Sequence, residues 1–346
     1  MRIPVHAMKS LPVVVVTGSS AGLGRAIAHA FASRGASVGL IARNPEALEA
    51  ARRECIERGG NAHWISTDVS DSHAVEHAAA EIEERLGPID IWINNAMVSV
   101  FSPVKEMEAA EYKRVTEVLY LGFVYGTLAA LRRMLPRDHG TIVQVGSALS
   151  YRSIPLQSAY CAAKHAINGF TDSLRCELYH DRSNVHVTAV HMPAMNTTQF
   201  GWVKNRLPNQ AQPVPPIFEP EVAAKAVVAA ALARHPRREY WVGFSTVKAI
   251  VAQKFIPGLL DSYLGRTGYD SQQIQDEPHD PNAPNNLYRF VPGSHSARGK
   301  FATRSKDSSA ELSFSLNRAA WIASGILAAG IGIAATLVAR SGRWSG

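Results

Sequence analysis

Tyr160 and Lys164 stand four residues apart in the run Ser158-Ala159-Tyr160-Cys161-Ala162-Ala163-Lys164, and Ser147 lies thirteen residues before the tyrosine. On a helix, positions i and i+4 share a face, so a phenol and an ammonium at this spacing point into the same space. A cation beside a phenol favours the phenolate and lowers a pKa that starts near ~10. Such a tyrosine can pass a proton to and from an alcohol/ketone pair. A serine hydroxyl entering from a nearby strand end can hold the reacting oxygen. Taken alone, Tyr-x-x-x-Lys more often marks an ordinary amphipathic helix, so the surrounding elements decide its meaning.

Those elements begin near the N-terminus. Leu11-Pro12-Val13-Val14-Val15-Val16 is a short, β-branched, apolar run of the kind found in buried parallel strands. It leads into Thr17-Gly18-Ser19-Ser20-Ala21-Gly22-Leu23-Gly24 and then a helical pattern through Ala26, Ile27, Ala30 and Phe31. Strand, glycine turn and helix in that order present backbone N–H groups and a positive helix end to a pyrophosphate. Along the chain, strands are expected at 12–17, 37–42, 62–66, 89–94, 140–146, 185–191 and 239–243, with helices at 22–34, 45–58, 71–86, 108–135, 157–181 and 219–234. This alternation predicts an α/β fold, a doubly wound parallel sheet with right-handed crossovers and helices on both faces. Ligands in such sheets sit beyond the carboxyl ends of the strands. Gly18, Asn94 and Ser147 each fall at or just past a predicted strand end, on one rim.

Over roughly residues 8 to 245 these features resemble the short-chain dehydrogenase/reductase family, whose domain is a Rossmann fold. The glycine motif Thr17 to Gly24, the run Asn94-Asn95-Ala96, Ser147, and the Tyr160/Lys164 pair follow the family's order and spacing. The resemblance implies that Tyr160 is the acid/base, that Ser147 orients the substrate carbonyl, and that Lys164 binds the nicotinamide ribose and lowers the tyrosine pKa. It implies cofactor contacts at Thr17, Gly18, Ser20, Gly22, Leu23, Gly24, Asn94, Ala96, Tyr160, Lys164, Pro193 and Thr198. Asp68 and Val69 match its adenine-contacting pair. Three positions depart from the family pattern: Met97 replaces the glycine of Asn-Asn-Ala-Gly, Leu119 aligns with the asparagine of the catalytic tetrad, and Ala194 follows Pro193 where a glycine is usual. The proton relay that the asparagine anchors is therefore in question.

Cofactor choice should show at the end of the second strand. Val38-Gly39-Leu40-Ile41-Ala42-Arg43-Asn44 carries no acid for an adenosine ribose 2′-OH, and Arg43 offers a guanidinium for a 2′-phosphate instead. NADP(H) is thus expected over NAD(H). His73 and His77 are at i and i+4, but no third metal ligand lies near, and Asp71, Glu76 and Glu81 mark a solvated face; no metal is expected. His191 is read as a hydrogen-bonded structural residue near the rim, and Cys161 as a small helix-packing residue.

At 346 residues the chain exceeds one doubly wound domain by about 100 residues. Three cysteines without framework spacing suit a reducing compartment. A net charge of +7 is too diffuse to imply nucleic acid. No long apolar stretch precedes the first strand, so no cleavable secretory signal is expected. Residues 246–264 are strongly apolar, and capping the substrate cleft, resting on a membrane and packing on the core are all open to them. From Gly265 the chain turns polar and rich in Pro, Asn and Ser, reading as an extended linker partly laid along the domain surface. Ala319 to Ala339 is then a stretch of 21 uncharged residues between Arg318 and Arg340, with Trp321 and Trp344 near its ends. That length spans a bilayer as a helix. Gly325, Ala328, Ala329 and Gly332 give small-xxx-small spacing that could pair helices in a homo-oligomer.

The chain thus divides into a catalytic domain over 1–264, a polar linker over 265–317, a transmembrane helix over 318–340 and a short tail over 341–346. Arg298, Lys300, Arg304, Lys306 and Arg318 outweigh Arg340 and Arg343, which puts the domain on the cytoplasmic side. The expected activity is a membrane-anchored oxidoreductase acting on a carbonyl or secondary alcohol, with a lipid-like substrate suggested by the anchor. The competing expectation is an NADP(H)-binding membrane scaffold or redox sensor with weakened turnover.

Overall fold

Val13 to Val16 are all buried, and the pleat explains why four valines stand in a row. Val14 and Val16 face one core cluster, Val13 and Val15 the other, so the strand is apolar on both sides. The computed structural model describes residues 11–318, and in it this strand, β1 (Val13–Thr17), is an interior strand of a seven-stranded sheet. The other strands are β2 (Ser37–Ala42), β3 (Asn61–Ser66), β4 (Ile89–Asn94), β5 (Gly140–Ser147), β6 (Val185–Met192) and β7 (Glu239–Trp241). Their order across the sheet is 7-6-5-4-1-2-3, every pairing parallel. The order reverses beside β1, the switch point at which a doubly wound sheet opens a crevice.

Helices α1 (Gly22–Ala32), α2 (Pro45–Glu57) and α7 (Pro220–Ala231) cover one face of the sheet. Helices α3 (Ser72–Leu86), α5 (Gly122–Met134) and α6 (Ser158–His180) cover the other, with α4 (Ala109–Thr116) leading into α5 through one π-helical turn, Glu117–Leu121. Capping sets two of the helix starts. Asn44 accepts from the Ala47 N–H at 3.1 Å with Pro45 in the first turn, and Asp71 accepts from the N–H groups of His73 and Ala74. His73 and His77 themselves are exposed on α3. Ala109–Arg137 is long and apolar enough to cross a membrane, yet Leu119, Phe123, Ala129, Ala130 and Met134 bury it in the domain core.

Beyond β7 come α8 (Phe244–Phe255) and α9 (Pro257–Thr267), joined at Ile256. They are only shallowly packed: Thr246 and Ile250 are the buried residues of α8, and α9 has none. The segment expected as a linker partly laid along the domain surface is built onto the domain over its described length. Gln273–Pro278 pairs antiparallel with Asn209–Ala211, Ser305–Lys306 pairs with Ile217–Phe218, and α10 (Ala310–Leu316) packs on α7. Leu287, Phe301 and Leu312 are buried and act as its apolar anchors. The expected membrane span at 319–339 lies outside the described residues.

Candidate active site

The turn after β1 is shaped by two glycines. Gly18 has a φ of +68°, and a Cβ there would stand 2.7 Å from the Ala96 Cα. At Gly24 a Cβ would meet the Gly18 carbonyl oxygen at 2.2 Å, so any side chain would force the turn off the helix. Thr17 locks this turn to the loop after β4, its Oγ1 accepting from the N–H groups of Asn95 at 2.9 Å and Ala96 at 3.1 Å. Asn95 returns the link by donating to the Thr17 carbonyl at 2.9 Å. The first turn of α1 then faces a cavity of about 400 Å3 along the carboxyl rim.

Most of the residues singled out from sequence meet on that cavity. Gly18, Ser20, Gly22, Leu23 and Gly24 line its phosphate side; Arg43, Asp68 and Val69 stand at one end. Ser147, Tyr160 and Lys164 stand at the other, with Ala96, Pro193 and Thr198 between. Met97 and Ala194, the substituted glycine positions, also face it. Thr17 does not line it, because its hydroxyl is spent on the loop. Asn94 does not either: it is fully buried, donating to Thr127 Oγ1 and Gln144 Oε1 at 3.0 Å and accepting from Trp92 Nε1 at 2.8 Å. Its side chain is committed to that core network and does not line the cavity, where the sequence predicts a cofactor contact.

At the far end, Ser147 closes β5, and its Oγ accepts from the Leu149 N–H at 3.1 Å. Lys164 is buried; its Nζ donates to the Val145 carbonyl at 2.6 Å and sits 5.7 Å from the centre of the Tyr160 ring. The shared face of the i, i+4 pair is therefore realised. The expected depression of the tyrosine pKa is not. Burial raises the Tyr160 phenol, and the neighbouring Ser147 hydroxyl pulls it back only in part. Burial likewise lowers Lys164 to about 7. With both groups desolvated, the neutral forms are favoured, and desolvation outweighs the attraction of a cation for a phenolate. Leu119 is fully buried in the core and brings no polar group towards Lys164.

Electrostatics at the other end are distinct. Burial works against the Asp68 carboxylate, but hydrogen bonds from Arg114 at 2.5 Å and from Ser70 outweigh it and hold its pKa below the usual range. Arg114 thereby occupies the nearest acid. Burial lowers the Arg43 pKa, its Nη2 reaches only the backbone carbonyl of Asn286 at 2.5 Å, and its Nη1 is buried without a partner. Thr198 Oγ1 is also buried and unpartnered on the cavity wall. These free donors suit a phosphorylated ligand.

His191 lies behind this wall, as a structural histidine. Its Nδ1–H donates to the Ser147 carbonyl at 3.2 Å, and burial holds its pKa below the ordinary value while Glu239 opposes. Cys161 is buried beside Tyr160, and burial pushes its thiol pKa up. Sequence reasoning missed Phe200, Gln212 and Gln272, and it missed Trp202, Asn286 and His295, which line the cavity together: the Asn286 N–H donates to the Trp202 carbonyl and the His295 ring lies against that of Trp202. They come from segments without any motif.

Comparison with known proteins agrees with this geometry. The family described as short chain dehydrogenase matches residues 12–206. The chain is 33% identical over 285 residues to the uncharacterized oxidoreductase YxnA of Bacillus subtilis, covering 82% of this chain and 79% of that protein. It is 31% identical over 223 residues to 3-ketodihydrosphingosine reductase of Bos taurus, covering 62% and 67%. Several further curated relatives are spanned over 50% to 59% of their own length. Among solved structures, an alcohol dehydrogenase from the archaeon Thermococcus sibiricus complexed with 5-hydroxy-NADP superposes with a TM-score of 0.60 at 27% identity, over 67% of this chain and 96% of that one. A match that begins at β1, ends beyond β6 and takes in more than half of the residues makes this chain a member of the short chain dehydrogenase family, an oxidoreductase of CH–OH and C=O groups.

Proposed function

We propose that this protein is a membrane-anchored oxidoreductase that interconverts a carbonyl and a secondary alcohol with NADP(H), the substrate being apolar. The observation that carries the reading is the single cavity running from the glycine turn and Arg43 to Ser147, Tyr160 and Lys164. NADP(H), when bound, supplies or accepts the hydride at the substrate carbon. The turn Gly18 to Gly24 cradles its pyrophosphate through N–H groups other than those of Gly18, Ser19 and Gly22, which donate to the Ile41 and Ser296 carbonyls, and Arg43 takes the 2′-phosphate. Thr198 offers its free hydroxyl, and Pro193 and Ala96 shape the wall. Ser147 Oγ holds the substrate oxygen by a hydrogen bond. Tyr160 completes the reaction by giving that oxygen a proton, or by taking one from the alcohol in reverse. A phenol kept protonated by burial is the donating form. Lys164, its Nζ held by the Val145 carbonyl, meets the nicotinamide ribose.

The related alcohol dehydrogenase complexed with 5-hydroxy-NADP supports the cofactor assignment. The test is a pair of binding measurements. Arg43→Ala is expected to weaken NADPH by about 1–3 kcal/mol, the scale of a charge-assisted contact, and to leave NADH nearly unchanged. Equal weakening of both would remove Arg43 from the 2′-phosphate site. Turnover itself is tested by a screen of carbonyls and alcohols on detergent-solubilised protein, read by NADPH absorbance. Tight NADPH binding with no turnover would favour a cofactor-binding scaffold.

Support for an apolar substrate and a bilayer comes from α8 and α9. Their outer face carries Phe255 and Leu259, 78% and 68% exposed, together with Phe244 and Tyr263. The inner side of the same pair brings Ser245, Thr246 and Leu264 to the cavity. An exposed apolar face of this kind suits a lipid surface, and it puts the cavity mouth where apolar molecules partition. The relation to 3-ketodihydrosphingosine reductase points the same way. Together with the uncharged stretch 319–339, this predicts that alkaline carbonate washing leaves the full-length chain in the membrane pellet. Recovery in the supernatant would overturn the anchor.

A further inference from the structure

The polar segment 286–299 lies across the nucleotide end of the cavity as a strap. Leu287 is fully buried in the core cluster on the α3, α5 and α6 face of the sheet, and its carbonyl accepts from Arg114 Nε at 2.9 Å. Phe301, beyond the other end, packs against Phe200 with ring centres 5.8 Å apart. Between these anchors the strap is held by the elements that shape the nucleotide site. Asn44 Nδ2 donates to the carbonyls of Val291 and Gly293 at 3.0 Å, and Gly22 N–H, in the first turn of α1, donates to the Ser296 carbonyl at 3.0 Å. The Arg25 guanidinium donates to the His295 carbonyl. The His295 ring lies 4.4 Å from that of Trp202.

Asn286 is where the strap meets Arg43, 243 residues away in sequence. Its backbone is occupied at both ends, N–H to the Trp202 carbonyl at 3.0 Å and carbonyl from Arg43 Nη2. Its side chain is not: Oδ1 is buried with no partner, as is Arg43 Nη1, and both residues line the cavity. Two unpartnered buried polar atoms from distant segments, on residues that line one cavity and are joined by the Arg43–Asn286 hydrogen bond, carry a desolvation cost that a ligand relieves. A guanidinium N–H beside a carboxamide matches a phosphate next to a sugar or amino group, since the amide can turn either its donor or its acceptor end inwards.

We propose that Asn286 is a cofactor-specificity residue, binding the adenosine 2′-phosphate end of NADP(H) jointly with Arg43, and that the strap encloses this end of the cofactor. The proposal rests on the NADP(H) reading above. It also accounts for an ordered strap in a sequence with so little apolar character, because its polar backbone is satisfied by the nucleotide-binding elements themselves.

The test uses the full-length chain in detergent and reads binding rather than turnover. Nicotinamide fluorescence would give NADPH and NADH affinities for wild type, Asn286→Ala and Asn286→Asp. Asn286→Ala keeps the backbone contacts and is expected to weaken NADPH by about tenfold, the loss of one charge-assisted hydrogen bond. Asn286→Asp sets a carboxylate against the 2′-phosphate and is expected to lower the NADPH/NADH preference further, with NADH little changed. NADPH should also protect the 288–299 strap from limited proteolysis in wild type more than NADH does. Wild-type preference for NADPH that survives both substitutions would overturn the role of Asn286 while leaving Arg43 standing. Absence of any NADPH preference in wild type would instead overturn the underlying NADP(H) reading. Proteolysis of the strap at equal rates with and without NADPH would overturn enclosure.

Discussion

Tyr160→Phe is expected to lower turnover by about 10²–10⁴-fold, the range that a positioned proton donor contributes. The substitution removes one oxygen from a side chain that otherwise fills the same space, so packing on α6 is kept. The nucleotide elements, Gly18 to Gly24 and Arg43, lie at the other end of the cavity, and NADPH affinity should stay close to wild type. Lys164→Ala should damage both turnover and binding, because its Nζ sits between the Val145 carbonyl and the Tyr160 ring at the sugar side of the cavity. Steady-state rates on a confirmed substrate, paired with NADPH titration, check the contrast. Near-wild-type turnover in the phenylalanine variant would remove Tyr160 as the acid/base.

Glu111→Ala is expected to cost about 3–5 kcal/mol of stability, the scale for breaking a buried ion pair from one side. The carboxylate is buried, 2.6 Å from Lys204 Nζ and 2.7 Å from Arg206 Nη2, with a further bond from the Glu108 N–H at 3.0 Å. It ties α4 to the segment that continues from Thr198, Phe200 and Trp202 on the cavity wall, so weaker cofactor binding should accompany the loss. Burial works against this carboxylate, but Arg206, the Glu108 N–H and Lys204 outweigh it and pull its pKa down to about 2. A carboxyl whose folded pKa is depressed stabilises fully above its ordinary value near ~4.3, and the contribution drains away as pH falls towards the folded value. The gap between wild type and Glu111→Ala in urea unfolding should therefore be widest at neutral pH and narrow between about pH 4.5 and 2. A gap that is small at pH 7 would mean that the cluster is solvated and that the segment is held by its apolar contacts.

Local chemistry was legible wherever the chain carries a strong periodic or turn signal. The valine run of β1, the glycine turn and the i, i+4 spacing of Tyr160 and Lys164 each depend on neighbours within a few residues. Strand boundaries read from these patterns fall within two residues of the observed ones, as at β4 and β5. The strap was not legible for the opposite reason. Its anchors, Leu287, Phe301 and Leu312, are single apolar residues with no period between them, and its hydrogen bonds go to Gly22, Arg25, Arg43 and Asn44, more than two hundred residues earlier. A segment that buries backbone polar groups against distant partners has the composition of a linker until those partners are in place.

Asn94 and Asn95 show the same division inside one motif. Adjacent residues at a strand end point to opposite sides, and residue type does not say which side is core. The placement of Thr127 on α5 and Gln144 on β5 turns Asn94 inwards, leaving Asn95 to meet the cavity. By itself, the order of residues determined the doubly wound sheet, the phosphate-side turn and the shared face of Tyr160 and Lys164, because these follow from short-range sterics and from burial of apolar faces. Only the tertiary structure decided the protonation balance of Tyr160 and Lys164, the free donors of Arg43 and the enclosure by 286–299. Desolvation and hydrogen-bond saturation are sums over everything within a few ångströms, and for these groups most of that surrounding comes from far along the chain.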